Sequence, residues 1–179
     1  MKTIIVTPAT TEPITLSEAK AQLRLDDAFV VDDTYLNALI SSARDRAESY
    51  CNQFFSDPSI KVLYDGQYPV SLELPYPNMA VTAITYTNSD NAVITIAPSV
   101  YTVNSATQKV YFTEVIESKD YQISATVSAP AAINGVRQAV LMIVTDLYEL
   151  RTETAVGVSL SDNPAVKALL YPYRLGLGI

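Results

Sequence analysis

The spacing of hydrophobic and polar residues changes twice along the chain and divides it into three regions. In residues 1–58, apolar positions recur every three or four residues, which predicts amphipathic helices. Residues 59–129 alternate in short runs, and residues 130–179 return to helical spacing. The pattern predicts an α+β fold. We expect a small bundle of about four helices, with an antiparallel β-meander or sandwich inserted between its N- and C-terminal helices.

Two helices are predicted in the first region. Thr15 and Glu18 have the spacing of a capping box, so the first helix begins after Thr15 and buries a face that includes Lys20. A longer helix follows an aspartate-rich turn, with Asp32 or Asp33 as its N-cap. Its apolar face consists of Leu36, Leu39, Ile40, Ala43, Ala47, Tyr50 and Phe54.

The predicted strands and the last two helices follow from residue composition and from the turn-forming residues between the runs. Short runs rich in Val, Ile, Thr and Tyr, separated by turn-forming residues, predict six or seven strands in residues 59–129. A broad apolar stripe in "INGVRQAVLMIVTDLYEL", interrupted by Gly135, predicts the central core helix. Asn163 as N-cap and Pro164 at the first position predict a short last helix that ends before Pro172.

Composition restricts the classes of function. The net charge is −7, with 12 Lys and Arg against 19 Asp and Glu, and basic residues nowhere cluster with aromatic ones. We therefore expect neither a nucleic-acid-binding surface nor a membrane-binding surface. Charges interrupt every apolar run before the roughly 18 residues of a membrane span. The N-terminus lacks a signal peptide, so we expect synthesis in the cytoplasm.

The sequence offers little for catalysis or metal binding. It has no histidine, and Cys51 is its only cysteine, so we expect no disulfide, metal site, cofactor or catalytic centre. Asp26, Asp27, Asp32 and Asp33 do not follow the order of a calcium loop, and capping of the turn explains them better. The protein is expected not to be an enzyme.

One alternative is a serine hydrolase or penicillin-binding enzyme. Ser17 and Lys20 fit the S-x-x-K motif, and Ser89-Asp90-Asn91 fits S-D-N. The K-T-G strand that completes such a site is absent, and Ser17 lies in a first helical turn, where serine is common. Ser161-Asp162-Asn163 repeats S-D-N as an ordinary helix cap. A second alternative is a virion module that binds the host or a carbohydrate through the β-insertion.

Five stretches in the same order resemble head–tail connector, or adaptor, proteins of long-tailed bacteriophages, in the subgroup with a β-rich insertion. They are "ITLSEAKAQLRLDD", "DDTYLNALISSARDRAESYC", "LELPYPNMAVTAITYTNSDNAVITIAPSVYTVNS", "VRQAVLMIVTDLYELRTE" and "AVKALLYPYR". The resemblance implies a structural protein of the virion neck. It implies a homo-oligomeric ring of about twelve copies that docks on the portal protein and links it to head-closure or tail-completion proteins.

The same resemblance implies that double-stranded DNA passes through the ring without specific binding. Closed rings use head-to-tail interfaces, so we expect helix 34–53 to contact the next copy.

The C-terminal tail is the predicted partner-binding site. In such connectors the tail docks on the portal, and aromatic residues beside an arginine are typical interface anchors. The site residues expected here are Tyr171, Pro172, Tyr173, Arg174, Leu175, Leu177 and Ile179. The alternative for Tyr171 and Tyr173 is that they fold back on their own helical bundle.

Overall fold

The computed structural model describes residues 1–65, 70–114, 120–130, 133–150 and 163–176. The chain forms two compact units. The β-rich unit consists of Met1–Thr10 and Ser56–Pro130, and the helical unit consists of Thr11–Phe55 and Ala131–Ile179. The predicted α+β fold class is confirmed: the described residues contain four α-helices and two antiparallel sheets.

The helical unit is built around its two long helices. Its helices are α1 (Leu16–Gln22), α2 (Asp33–Cys51), α3 (Asn134–Leu150) and α4 (Pro164–Leu170). α3 packs on α2 and α4, and α1 packs on α2 and α3. The buried faces repeat every three or four residues, as the sequence predicts, and include Leu39, Ile40, Ala43, Ala47, Val136, Val140, Ile143, Val144, Val166 and Leu170.

Polar side chains lie at the N-termini of α1 and α2, and they have different roles at the two helices. At α1 the predicted capping box is present: the Glu18 N–H donates to Thr15 Oγ1 at 3.2 Å, and the Thr15 N–H donates to Glu18 Oε2 at 2.8 Å. Asp32 is the N-cap of α2 by position, but its side chain makes no capping bond. Its carboxylate accepts a hydrogen bond from the Tyr148 hydroxyl at 2.6 Å instead. Asp32 therefore joins the start of α2 to the end of α3.

Charged side chains tie the short α1 to the rest of the helical unit. Lys20 is only 3% exposed, and its ammonium lies 2.7 Å from the Asp33 carboxylate and donates to the Asp27 carbonyl at 3.1 Å. Arg137 of α3 donates to the Pro13 carbonyl at 2.6 Å and to Glu18. A buried ammonium needs such partners, because its desolvation would otherwise cost several kcal/mol.

Eight strands form the β-rich unit within the described residues. They are β1 (Lys2–Thr7), β2 (Ser59–Asp65), β3 (Ser71–Glu73), β4 (Met79–Thr87), β5 (Val93–Thr95), β6 (Tyr101–Asn104), β7 (Lys109–Phe112) and β8 (Asp120–Val127). The larger sheet has the order β1-β2-β8-β4-β5, and the smaller has the order β3-β7-β6. β8 is the central strand of the larger sheet, and its inward residues Tyr121, Ile123, Ala125 and Val127 are buried.

The structure differs from the sequence prediction at the N-terminus. The sequence pattern predicts a helical part over residues 1–58, but β1 pairs with β2 in antiparallel register, with Ile4 opposite Lys61. Residues 1–10 therefore belong to the β-rich unit. The strand escaped prediction because it is an edge strand with Ile4, Ile5 and Val6 all exposed, so it lacks the alternation of a half-buried strand.

The described helices are all too short or too polar to cross a membrane.

Candidate functional site: the C-terminal tail

The short helix α4 determines where the C-terminal tail begins. The Ala165 N–H donates to Asn163 Oδ1 at 3.1 Å, and Pro164 occupies the first helical position, as the sequence predicts. Asn163 also donates to Asp146 of α3 at 3.3 Å. Val166 and Leu170 are buried, so α4 is fixed on its neighbours through one apolar edge. The tail therefore begins from a fixed point.

After α4 the chain makes a 3-10 turn, Tyr171–Tyr173, closed by a bond from the Arg174 N–H to the Tyr171 carbonyl at 3.1 Å. Pro172 suits this turn because its ring fixes φ near the required value. The residues of this turn differ in their exposure to solvent. Tyr171 is 70% exposed and Pro172 is exposed, whereas Tyr173 is half-buried against the core of the helical unit.

Tyr173 is held on three sides. Its ring meets Phe55 edge to face, with centroids 6.1 Å apart, and its carbonyl accepts a hydrogen bond from Gln53 Nε2. The third side is Gly135 on α3: a Cβ there would lie 3.0 Å from Tyr173 Cε2 and 3.1 Å from the Leu169 carbonyl oxygen. The absence of a side chain at Gly135 therefore makes room for the Tyr173 ring.

The next two residues close the C-terminal end of α2. The Leu175 N–H donates to the Cys51 carbonyl at 2.8 Å, and Asn52 Nδ2 donates to the Leu175 carbonyl at 3.4 Å. The last carbonyls of a helix lack partners within the helix, and the tail supplies one here. Asn52 adopts the left-handed conformation, with φ of 55°, that commonly ends helices.

Arg174 is exposed, with its guanidinium carbon 5.5 Å from the centre of the Tyr50 ring.

Cys51 lies beneath this tail and behaves as a structural residue. Its thiol donates to the Leu170 carbonyl at 3.5 Å and is buried. Burial raises the pKa of the Cys51 thiol to about 11, and the positive charge of Arg174 opposes that rise in part. A thiol with this pKa is protonated and unreactive near neutral pH.

The predicted site residues therefore divide into two groups. Tyr173 contacts its own helical unit, as the alternative for Tyr171 and Tyr173 predicts, and Leu175 does so as well. Tyr171, Pro172 and Arg174 are exposed to solvent. Leu177 and Ile179 lie outside the described residues. The sequence pattern does not identify the partners Gln53, Phe55 and Gly135, although a glycine early in an apolar helix is a visible signal of close packing.

The residues of the alternative enzyme site have other partners. The Ser17 hydroxyl donates to Asp27 Oδ1 at 3.1 Å, while the Lys20 ammonium pairs with Asp33. These contacts give Lys20 a structural role and leave the serine without the basic partner that nucleophilic attack requires. Ser89-Asp90-Asn91 lies in the β4–β5 turn of the other unit.

Polar clusters elsewhere also serve the fold. At the α1–α2 turn, the side chains of Asp26, Asp27 and Asp32 accept hydrogen bonds within the helical unit, and Asp33 forms an ion pair there. Among the described residues, no three His, Cys, Asp or Glu side chains converge to hold a metal ion. In the β-rich unit, a shallow depression contains Tyr64 and Tyr121, but Tyr121 is buried and Tyr64 donates to the Glu73 carbonyl.

Three solved structures with a similar fold come from gene transfer agent particles. The chain is similar to a protein in the neck of an empty gene transfer agent (GTA) particle computed with C6 symmetry, with 19% identity, a TM-score of 0.75, and coverage of 97% of this chain and 95% of that one. A protein from the virion of the native particle matches with a TM-score of 0.74, and one from the native neck computed with C12 symmetry matches with 0.64; identity and coverage are the same.

The sequence comparison identifies the family. No curated protein matches the chain. The family of phage gp6-like head-tail connector proteins matches residues 13–116, which is more than half of the chain and runs from the start of α1 through β7. The chain therefore belongs to the phage gp6-like head-tail connector family, and its role is that of a structural connector in a particle neck.

Proposed function

We propose that this protein forms a homo-oligomeric ring in the neck of a phage or phage-like particle. The ring docks on the portal protein, links it to a head-closure or tail-completion protein, and extends the channel through which DNA passes. The observation that carries the proposal is the family match over residues 13–116. The match includes both a helical segment and the strands of the insertion, so it does not rest on a single common motif.

Symmetry of the similar structures supports a ring. Two of the similar neck proteins come from reconstructions with C6 and C12 symmetry, and the fold of this chain covers nearly their whole length. A connector in a closed ring needs a head-to-tail interface, in which two different surfaces of each copy meet. We propose about twelve copies, in agreement with the higher of the two symmetries.

Charge supports a passive channel for DNA. The chain carries 12 basic and 19 acidic residues. Each Lys or Arg that neutralises a phosphate adds to salt-dependent affinity, so a protein poor in basic residues holds DNA weakly. A ring of such chains lets DNA slide past, which a conduit requires.

We further propose that the exposed part of the tail binds the portal. Tyr171, Pro172 and Arg174 lie on the outside of the helical unit, while Tyr173 and Leu175 anchor the segment to its own subunit. An exposed tyrosine on a fixed turn loses little conformational entropy on binding, which favours its use as an interface anchor. Leu177 and Ile179 complete the proposed site as apolar contacts.

The test is co-sedimentation of the purified protein with its portal protein. The wild-type chain is expected to sediment with the portal, and the double variant Tyr171→Ala/Arg174→Ala to bind at least about tenfold more weakly. Tyr111→Ala, which removes an exposed tyrosine of β7, serves as the control and is expected to bind normally. Point substitutions are preferable to truncation after Leu170, because truncation also removes the Tyr173 and Leu175 contacts.

The possible results separate the two claims. Normal binding by the double variant would show that the tail is not the portal site, while the connector role would stand. Failure of the wild-type chain both to form rings and to sediment with the portal would contradict the connector role itself.

A further inference from the structure

Three consecutive apolar side chains lie on the surface of the α1–α2 turn. Phe29, Val30 and Val31 are 38%, 66% and 79% exposed. A run of exposed apolar residues is unfavourable in water and is typical of a contact surface. We call these three residues the apolar knob. The same turn contains Asp26 and Asp27 before the knob and Asp32 and Asp33 after it.

The turn that carries the knob is held rigid from both ends. Lys20 donates to the Asp27 carbonyl before the knob and pairs with the Asp33 carboxylate after it. The Phe29 N–H donates to the Asp26 carbonyl at 2.9 Å, and the Asp33 N–H donates to the Val30 carbonyl at 3.3 Å. A surface fixed in this way loses little entropy when it binds, which raises its affinity.

The same unit contains a pocket that a side chain can enter. The pocket lies where α2, α3 and α4 meet and has a volume of about 60 Å³. This exceeds the roughly 10–15 Å³ that a single water molecule needs. Its apolar lining comes from Tyr50, Ile143, Val166 and Leu170, and its polar lining from Arg46, Asp146, Asn163 and Lys167.

A copy cannot fill its own pocket with its own knob. The knob precedes the first residue of α2, Asp33, whereas Arg46 and Tyr50 lie in the last two turns of that helix. At about 1.5 Å of rise per residue, the two sites are about 20–25 Å apart along α2. A contact between knob and pocket therefore joins two copies through different surfaces, which is the head-to-tail arrangement that closes into a ring.

Charges on the two surfaces are complementary. The knob is flanked by Asp26, Asp27, Asp32 and Asp33, against Lys20 and Arg24 of the same region. Among the described residues that line the pocket, Arg46 and Lys167 are basic and Asp146 is acidic. An acidic surface thus meets a basic one, which steers the association and disfavours contact between two knobs.

From these observations we propose that the apolar knob of one copy enters the α2–α3–α4 pocket of the next copy in the ring. The inference rests on the proposed function, because it identifies the interface of the ring proposed above. In this arrangement the turn just before α2 of one copy contacts the C-terminal end of α2 in the next copy. Helix 34–53, expected from the sequence to make ring contacts, thereby contributes one end to each interface.

Directed cross-linking on the assembled neck provides the first test. One variant carries Val30→Cys and a second carries Lys167→Cys, with buried Cys51 left in place as an unreactive thiol. Under mild oxidation, a mixture of the two single variants should give disulfide-linked dimers. A double variant should give a ladder of higher oligomers. The proposal requires that neither single variant cross-links alone, and it fails if rings assemble but the double variant remains monomeric on a denaturing gel.

A matched pair of substitutions provides the second test. Val31→Lys and Val70→Lys make the same change at valines that are 79% and 81% exposed, in the helical and the β-rich unit respectively. Val31→Lys should weaken ring assembly at least about tenfold, because the added ammonium would lie against Arg46 and Lys167 of the pocket. Val70→Lys should assemble like wild type.

The remaining outcomes are also decisive. Normal rings of Val31→Lys would overturn the proposal. If those rings formed but failed to bind the portal, the knob would be a docking site for another neck protein and the proposal would again be wrong. Absence of rings from the wild-type protein would count against the proposed function rather than against the choice of interface.

Discussion

The two units of the chain are stabilised by different kinds of interaction. In the described part of the helical unit, ion pairs join segments that are distant in sequence: Lys20 with Asp33, Arg44 with Glu12, and Arg137 with Glu18. In the described part of the β-rich unit, the ion pair is Lys109–Glu73, and both side chains are exposed. Ion pairs thus join distant segments of the helical unit, whereas the pair in the β-rich unit joins residues that already face each other on the paired strands β3 and β7.

The difference follows from the lengths and pairing of the elements. α1 has seven residues, and a helix that short is not stable by itself in water, so side-chain contacts must hold it. β8 pairs along its length with β2 on one side and β4 on the other, and these backbone bonds fix its position without charged groups. Precise placement of the turn and the tail in the helical unit therefore depends on a few polar residues.

The largest expected effect is at the buried ammonium. Lys20→Met removes the partner of Asp33 and the donor to the Asp27 carbonyl. We expect a loss of about 2–3 kcal/mol in the free energy of unfolding. This is below the 3–5 kcal/mol typical of a broken buried pair, because Asp33 is partly exposed in the first turn of α2. Denaturant titration followed by circular dichroism measures the change.

The matched control lies in the β-rich unit. Lys109→Met removes the same charge from an exposed pair and should change the free energy of unfolding by less than about 1 kcal/mol. Equal losses in the two variants would refute the contrast drawn between the units.

A smaller loss is expected where the tail packs on α3. Gly135→Ala places a Cβ 3.0 Å from the Tyr173 ring, so the ring must move. We expect a net loss of about 1–2 kcal/mol, in spite of the higher helix propensity of alanine. Gly176→Ala is the control, because nothing lies within 4 Å of its added Cβ. Calorimetry of both variants gives the comparison.

The same variant should expose Cys51. In the wild-type protein the buried thiol, with its pKa of about 11, should react slowly with iodoacetamide at pH 7. Displacement of the tail in Gly135→Ala should speed the labelling, and Gly176→Ala should label at the wild-type rate. Identical rates in all three proteins would mean that the tail does not shield α2.

The smallest effect concerns pH. Hydrogen bonds from Thr15, chiefly from its backbone N–H, and the charge of Arg137 hold the pKa of Glu18 below its ordinary value of 4.5. A carboxylate whose folded pKa is lowered stabilises the protein above its unfolded pKa, and this contribution is lost as the pH falls through the folded pKa. The stability difference between wild type and Glu18→Gln should therefore be present at pH 7 and decrease below pH 4.5. A difference independent of pH would contradict this role of the charge.

Sequence reasoning succeeded where local chemistry decides the structure. The capping box at Thr15, the cap at Asn163 and the seven strands that the structure describes after residue 58 follow from short-range patterns. Strand order could not be obtained in this way, because β8 enters between β2 and β4 and this choice depends on contacts between distant segments. β1 was missed for the related reason that an exposed edge strand carries no alternation.

The site shows the same division. The sequence singled out the tail residues by their composition, but it could not divide Tyr171 from Tyr173, which lie two residues apart in one turn. That division is set by Gly135, Gln53 and Phe55, which the fold brings to Tyr173 and not to Tyr171. The role of Lys20 as a tie across the α1–α2 turn was likewise invisible, because its partner Asp33 is fixed only by packing.

The most direct test of the connector role is an electron cryomicroscopy reconstruction of the protein with its portal. We expect an added ring on the portal, with the same axial symmetry, in which each copy has the two-unit fold described above. We also expect density for Tyr171 against the portal and for Val30 against the next copy. A reconstruction in which the portal carries no added ring, from a sample where both proteins are present and folded, would contradict the account.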